Sequence, residues 1–326
     1  MVLILSEEDV KSLFTMDEAI DAVEEGFKEL SGDTAHLPSR LGIDIDKYEA
    51  WIGLMPAYLE ELDVFGTKII GHFPNNPEKG LPTHVGQVII NDPSSGEALA
   101  VLDGNSITAI RTGAAGGVSA KYLARTDSKT VGVIGTGVQG RSHLRAVCEV
   151  RDIKSAKAYD VDSEAREKYV EEMSKELKIK MQALENPNDV VSGADIVITA
   201  TPSKEPVFDG KYLEKGSHII AVGAYQPDMR EIDDATIKKA DKIVLDYWED
   251  ALESGDISQP LSKGILEKEN IHSEIGEIIL GEKEGRTSRE EITLFETVGT
   301  ATIDVSSGKR IYELAKEKEI GTEKKL

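Results

Sequence analysis

The stretch from Thr130 to Asp160 constrains the fold of this chain more than any other. Val131-Gly132-Val133-Ile134 is a short, β-branched apolar run and reads as a buried strand. Gly135-Thr136-Gly137-Val138-Gln139-Gly140 follows at once, and then Leu144, Ala146, Val147 and Val150 recur at helical spacing. A second strand, Ala156 to Tyr159, ends at Asp160. Strand, glycine turn, helix, strand and acid in this order form a dinucleotide-binding arrangement. Gly135 allows the tight turn, Gly137 lets a pyrophosphate approach the backbone, and Gly140 lets the helix pack close to the strand. Val138, Gln139 and Gly140 open the helix, whose free N–H groups and positive dipole end favour phosphate. Asp160, twenty residues past Gly140, can accept hydrogen bonds from a ribose and would repel a 2′-phosphate. It therefore points to NAD rather than NADP.

The chain has 326 residues, enough for two domains. Its formal net charge of -22 argues against nucleic acid or an anionic membrane as partners. The single cysteine, Cys148, cannot form an internal disulfide and reads as a small core residue on the first helix of the nucleotide domain. No run approaches the length of a membrane span, and the N-terminus lacks a signal pattern, so a cytoplasmic protein is expected.

Before the glycine turn, Ser6 with Asp9 and Thr15 with Glu18 cap two helical runs. Residues 34 to 102 read as several strands, among them Leu41–Ile45, Trp51–Met55 before Pro56, and Val64–Ile70 carrying Lys68. Val85–Ile90 and Ala98–Leu102 flank the turn Asn91-Asp92-Pro93-Ser94-Ser95-Gly96, a hairpin signal. This predicts a mainly antiparallel sheet with a helix on it. A helix rich in small residues, 106 to 125, leads into the nucleotide domain. After Asp160, Ser163 is expected to cap a charged helix, and strands recur at 179–184, 195–200, 218–222 and 242–245. Six strands suit a doubly wound parallel sheet, with ligands at the carboxyl ends of strands, where Thr201, Val222 and Gly223 fall. Residues 257 to 281 read as less regular. A last helix, to about Lys316, is expected to return to the first domain and to end in a charged tail.

Eight stretches together carry a resemblance: LMPAY (54–58), GLPTH (80–84), AVLDGNSITAIRTGAAGG (100–117), GTGVQG (135–140), TATPSKEPVF (199–208), VGAYQPDMREID (222–233), HSEIGEII (272–279) and ITLFETVG (292–299). In this order the chain resembles the ornithine cyclodeaminase/μ-crystallin family along nearly its whole length. The resemblance implies a Rossmann domain with NAD, inserted in an α+β domain that binds substrate and forms a homodimer. The expected boundaries are 1–113 with 303–326 for the substrate and dimerisation domain, and 114–302 for the Rossmann domain. The implied chemistry is hydride transfer between the carbon of a small amino or imino acid and the nicotinamide.

Arg111 lies in a helix of small, mostly uncharged residues and Lys68 in an apolar strand, where charge needs a partner or a ligand. A substrate carboxylate is such a ligand. The resemblance implies that Arg40, Lys68 and Arg111 line the substrate site, with Lys68 as proton carrier. It also implies cofactor contacts at Thr83, Arg111, Thr112 and Thr297. The six histidines form no metal set, and no metal is expected. Family members that cyclise ornithine carry an aspartate where this chain has Tyr225, a phenol that is neutral near pH 7. The expected activity is therefore NAD-dependent oxidation or reduction of a small amino or imino acid, of alanine dehydrogenase or cyclic ketimine reductase type. The alternatives are ornithine cyclodeaminase, in which NAD is recycled, and a nucleotide-holding protein without turnover.

Overall fold

A computed structural model describes residues 1–38 and 41–325. The chain divides into two compact units, Met1–Arg111 with Thr300–Leu326, and Thr112–Gly299. The first unit opens with β1 (Val2–Leu5), α1 (Glu7–Leu13) and α2 (Met16–Ser31). The predicted caps are present: Ser6 and Asp9 form a reciprocal capping box, and the Thr15 hydroxyl accepts from the Glu18 amide. The strands β2 (Ala35–His36), β3 (Leu41–Ile45), β4 (Ala50–Leu59), β5 (Val64–His72), β6 (His84–Asn91) and β7 (Ala98–Asp103) follow, then α3 (Gly104–Leu123). The unit boundary falls inside α3.

The second unit contains β8 (Thr130–Ile134), α4 (Val138–Val150), β9 (Ser155–Tyr159), α5 (Ser163–Leu177), β10 (Lys180–Ala183), α6 (Pro187–Val191), β11 (Ile196–Thr199), β12 (His218–Ala221), α7 (Asp234–Lys239) and β13 (Lys242–Leu245). It continues with α8 (Trp248–Ala251), α9 (Gly255–Ser262), β14 (Ile271–Glu274), α10 (Ile275–Ile279) and β15 (Thr293–Glu296). The chain then re-enters the first unit as α11 (Ala301–Lys318) and β16 (Thr322–Lys324).

Among the described residues the sheet of the first unit runs β16-β1-β7-β6-β5-β4-β2, with β3 also on β4. Its pairs are antiparallel except β1 with β7. Helix α11 packs against α2 and lies on β4, β5 and β6. The approach is close: a Cβ at Gly26 of α2 would stand 2.7 Å from the Ser306 hydroxyl, and one at Gly308 would stand 2.7 Å from Ile90 Cδ1.

The second unit is a parallel sheet in the order β10-β9-β8-β11-β12-β15-β13-β14. Its core includes Ile134, Val197, Ile219, Leu245 and Leu294, all buried. Parallel strands need both faces covered, so they read as continuous apolar runs. The small face of α3 serves α4: a Cβ at Gly113 would run into Ser142, and one at Gly116 into the His143 ring.

Several expectations are corrected. The sheet of the second unit has eight strands among the described residues, not six. The two extra are β15, which slots between β12 and β13, and β14, from the stretch read as irregular. Strand β4 continues through Pro56, which falls between the β3 register ending at Leu54 and the β2 register starting at Tyr58. Asp162 rather than Ser163 caps α5, accepting from the amides of Glu164 and Ala165. The charged tail forms β16, whose backbone pairs with β1. Cys148 is only partly buried, and burial pushes its thiol up to about 12. Among the described residues no helix is long and apolar enough to cross a membrane.

Candidate active site

Two candidate cations of the first unit, Lys68 and Arg111, lie around Asp304. Lys68 sits mid-strand on β5, opposite Met55 of β4 and Val88 of β6, both buried. Burial of a lone ammonium there would be costly. Asp304, on the first turn of α11, supplies the counter-charge: its Oδ2 lies 2.6 Å from Lys68 Nζ, and its Oδ1 accepts from Arg111 Nε at 2.9 Å. All three residues are buried. Arg111 Nη1 has no hydrogen-bond partner among the described residues. An unmet buried donor costs about 1–3 kcal/mol, which an anionic ligand would recover. Thr83 is half-buried, and its carbonyl accepts from the Phe73 amide at 2.7 Å. Arg40 lies outside the described residues.

Two glycines of the turn in the second unit stand where a Cβ would clash. Gly135 has φ +97°, a region that favours glycine, and a Cβ there would collide with the Ala200 carbonyl. A Cβ at Gly140 would run into the Gly135 carbonyl oxygen. At Gly137, the N-cap of α4, no described residue comes within 4 Å of where a Cβ would stand, which leaves space before the first amides of α4. Val138 is 64% exposed at that end. Gln139 is half-buried, and its Oε1 has no hydrogen-bond partner among the described residues. Thr112, at the start of this unit, is buried.

Asp160, at the end of β9, is tied to the turn. Its Oδ2 accepts from the Thr136 amide and hydroxyl, both at 2.8 Å, and its Oδ1 accepts from the Asp162 amide at 3.1 Å. Partial burial raises its pKa, but these donors outweigh it and hold the carboxyl below its ordinary value. The charge that would meet a ribose is therefore fixed in place.

At the carboxyl ends of β11, β12 and β15, two buried carboxylates organise the loops. Glu231 Oε1 accepts from the Thr201 amide at 2.6 Å and hydroxyl at 2.7 Å, and its Oε2 accepts from the Gly223 amide at 2.7 Å. Asp246 Oδ2 accepts from the Thr297 hydroxyl at 2.6 Å and from the amides of Val298 and Gly299 at 3.0 and 2.7 Å. Burial pushes both carboxyls up, against the pull of these donors. Val222 is buried, and Thr201 and Gly223 are half-buried. Thr297 is only 1% exposed, and its hydroxyl proton is committed to Asp246.

The structure thus gathers Gly135, Thr201 and Gly223 at one end of the parallel sheet: a Cβ at Gly135 would also meet the Thr201 methyl at 2.9 Å. It joins Lys68 to Arg111 in the other unit, where Thr83 also lies. Asp304, Glu231 and Asp246 were not anticipated. Asp304 reads in sequence as an ordinary acid at a helix start, and Glu231 as part of the charged run Arg230 to Asp234. Among the described residues no group of three or more histidines, cysteines or acids could hold a metal ion.

The family model for the ornithine cyclodeaminase/mu-crystallin family matches residues 2–319. An alanine dehydrogenase of Archaeoglobus fulgidus is 42% identical over 324 residues, covering 99% of this chain and 98% of the relative. Two solved structures superpose with a TM-score of 0.94. One is a Delta(1)-pyrroline-2-carboxylate reductase of Thermococcus litoralis in complex with NADH and L-proline, 43% identical, with 99% of this chain and 100% of that one covered. The other is an archaeal alanine dehydrogenase dimer with bound NAD, 41% identical, with 100% and 99% covered. The eight motifs, the inserted parallel-sheet unit and these matches agree, and the chain belongs to the ornithine cyclodeaminase/mu-crystallin family.

Proposed function

We propose that the protein is an NAD-dependent oxidoreductase of a small amino or imino acid, of alanine dehydrogenase or cyclic ketimine reductase type. The observation that carries this reading is the buried Lys68–Asp304–Arg111 group, in which Arg111 keeps a donor with no partner among the described residues. A guanidinium in that state suits a carboxylate, the one group that amino and imino acids share. The second unit is the NAD-binding domain and the first binds substrate. The open space at Gly137 and the fixed Asp160 support this assignment. Bound NAD accepts or supplies the hydride.

In this reading Arg111, with Arg40, holds the substrate carboxylate and so fixes the α-carbon. Lys68, paired with Asp304, or a water it holds, gives a proton to the imine nitrogen in reduction; in oxidation the neutral amine form of Lys68, or that water, takes the amine proton. Gly135, Gly137, Val138, Gln139 and Gly140 cradle the pyrophosphate. Asp160 takes the ribose. Thr83, Arg111, Thr112, Thr201, Val222, Gly223 and Thr297 form the rest of the cofactor environment, Thr297 through its loop. Tyr225 supplies no negative charge for a distal amine: burial and Asp228 push its phenol further up, so it stays neutral. This favours substrates such as alanine or a cyclic imino acid over ornithine. The single cysteine leaves no internal disulfide to require an oxidising compartment, which supports a cytoplasmic enzyme.

The test follows NADH absorbance with pyruvate plus ammonia, with cyclic imino acids and with ornithine. Consumption of NADH by one of the first two is expected. Conversion of ornithine to proline with no net change in NADH, with the others inert, would replace this reading by the cyclodeaminase.

A further inference from the structure

The buried carboxylate of Glu231 has no place in the chemistry above, yet it accepts three hydrogen bonds at the carboxyl end of the parallel sheet. Its two oxygens serve two different loops, the one after β11 through Thr201 and the one after β12 through Gly223. The loops are in tight contact: a Cβ at Gly223 would stand 2.5 Å from the Thr201 amide nitrogen and 2.6 Å from Glu231 Oε2. Glu231 is itself held. Its own amide and that of Ile232 donate to Asp256 Oδ1, each at 2.8 Å. The Asp256 amide donates to Ser254 Oγ at 3.2 Å, and Ser254 Oγ donates to Glu296 Oε1 at 2.6 Å, at the end of β15. Every residue in this chain of contacts from Glu231 to Glu296 is fully buried.

A dinucleotide lies across the two halves of such a sheet. The glycine turn and Asp160 belong to the half made of β8, β9 and β10. The loops after β11 and β12 belong to the other half and face the far mononucleotide.

We propose that Glu231 is a positioning residue for the dinucleotide: it locks the loops after β11 and β12 together so that Thr201 and Gly223 present one fixed edge to the nicotinamide half of the cofactor. The proposal rests on the NAD-binding reading of this unit. Only an acid of this length meets the geometry. All three donors point at an acceptor, so an amide at position 231 must turn its NH2 toward at least one N–H and release that loop. A shorter acid keeps both acceptors but must move to reach both loops.

The experiment compares wild type, Glu231→Gln and Glu231→Asp by NADH binding, steady-state kinetics, thermal melting without cofactor, and hydrogen exchange at the amides of Thr201 and Gly223. Glu231→Gln should weaken NADH binding by about tenfold or more, as expected for a lost hydrogen bond to a charged group. It should raise KM for NADH far more than it lowers kcat, and it should speed exchange at one or both amides. Glu231→Asp should fall between it and wild type. A lower melting temperature with unchanged NADH affinity would assign Glu231 to stability alone and overturn the proposal. If Glu231→Gln does not fold, Glu231→Asp decides alone: weaker NADH binding with faster exchange at Thr201 or Gly223 supports the proposal, and affinity equal to wild type overturns it. Failure of the wild type to bind NADH would instead remove the cofactor reading, and this inference with it.

Discussion

Lys68 Nζ lies 2.6 Å from Asp304 Oδ2, with both side chains buried. The same carboxylate takes Arg111 Nε through its other oxygen, so one acid from α11 orients two cations, one from β5 and one from α3. Removing one member of a buried pair leaves an uncompensated charge. Lys68→Ala should cut turnover by about two to four orders of magnitude, the reach of a general acid–base group. Arg111→Ala should act mainly on KM for the amino or imino acid. Steady-state kinetics at saturating NADH separate the two, and a Lys68→Ala variant with wild-type kcat would contradict the assigned role.

Asp160 is held by Thr136 and the Asp162 amide, so its charge cannot swing away from a 2′-phosphate. Asp160→Ser should weaken NADH binding by about tenfold or more and narrow the gap to NADPH. Fluorescence titration of both nucleotides checks this. Tighter binding of NADPH than NADH by the wild type would show the role of Asp160 to be wrong.

His143 is fully buried, with Nδ1 hydrogen-bonded to the Gln139 carbonyl, and burial lowers its pKa to about 4. The unfolded chain takes up a proton below about pH 6.5 while the folded chain stays neutral down to about 4. Stability from this group is therefore complete above pH 6.5 and is lost as pH falls from there to 4. His218, lowered to about 3 by burial and Arg286, acts in the same sense. Glu231 and Asp256, both raised by burial, act in the opposite sense, losing stability as pH rises. The histidine effect is isolated by a variant. The stability advantage of wild type over His143→Gln should shrink below pH 6.5, by up to about 1.4 kcal/mol per pH unit. Urea unfolding at pH 7.5 and 5 measures it, and an advantage independent of pH would contradict the assignment.

Strand β3 carries Leu41 and Ile43 at 55% and 58% exposure, an apolar edge of the first unit that a second copy could cover. A homodimer through this unit is expected. Light scattering at micromolar concentration should give twice the chain mass, and a monomer would rule it out.

The parts of the molecule legible in the sequence are those whose cause is local. The glycine turn with its flanking strands, the hairpin of β6 and β7, and the caps of α1 and α2 each follow from residues within a few positions of one another. The parts that were not legible depend on distance along the chain. Strand β15 enters the parallel sheet between β12 and β13, and a four-residue strand carries no sign of which neighbours it will choose. Asp304 meets Arg111 across 193 residues, and nothing near it in sequence names that partner. Glu231 stands in a charged run that reads as solvated until Thr201 and Gly223 fold onto it. The cations were legible because Lys68 and Arg111 break apolar or small-residue patterns; Asp304 stands in a similar run, Ala301 to Gly308, but reads there as an acid of a first helical turn.

The central claim is hydride transfer between the nicotinamide and the α-carbon of a small amino or imino acid. Reduction of a cyclic imino acid, or of pyruvate with ammonia, in the presence of NADH deuterated at both C4 positions tests it most directly, with the product examined by mass spectrometry and NMR. One deuterium at the α-carbon of proline or alanine is expected for each NADH consumed. Product that forms without the label at that carbon, or without net loss of NADH, would contradict it.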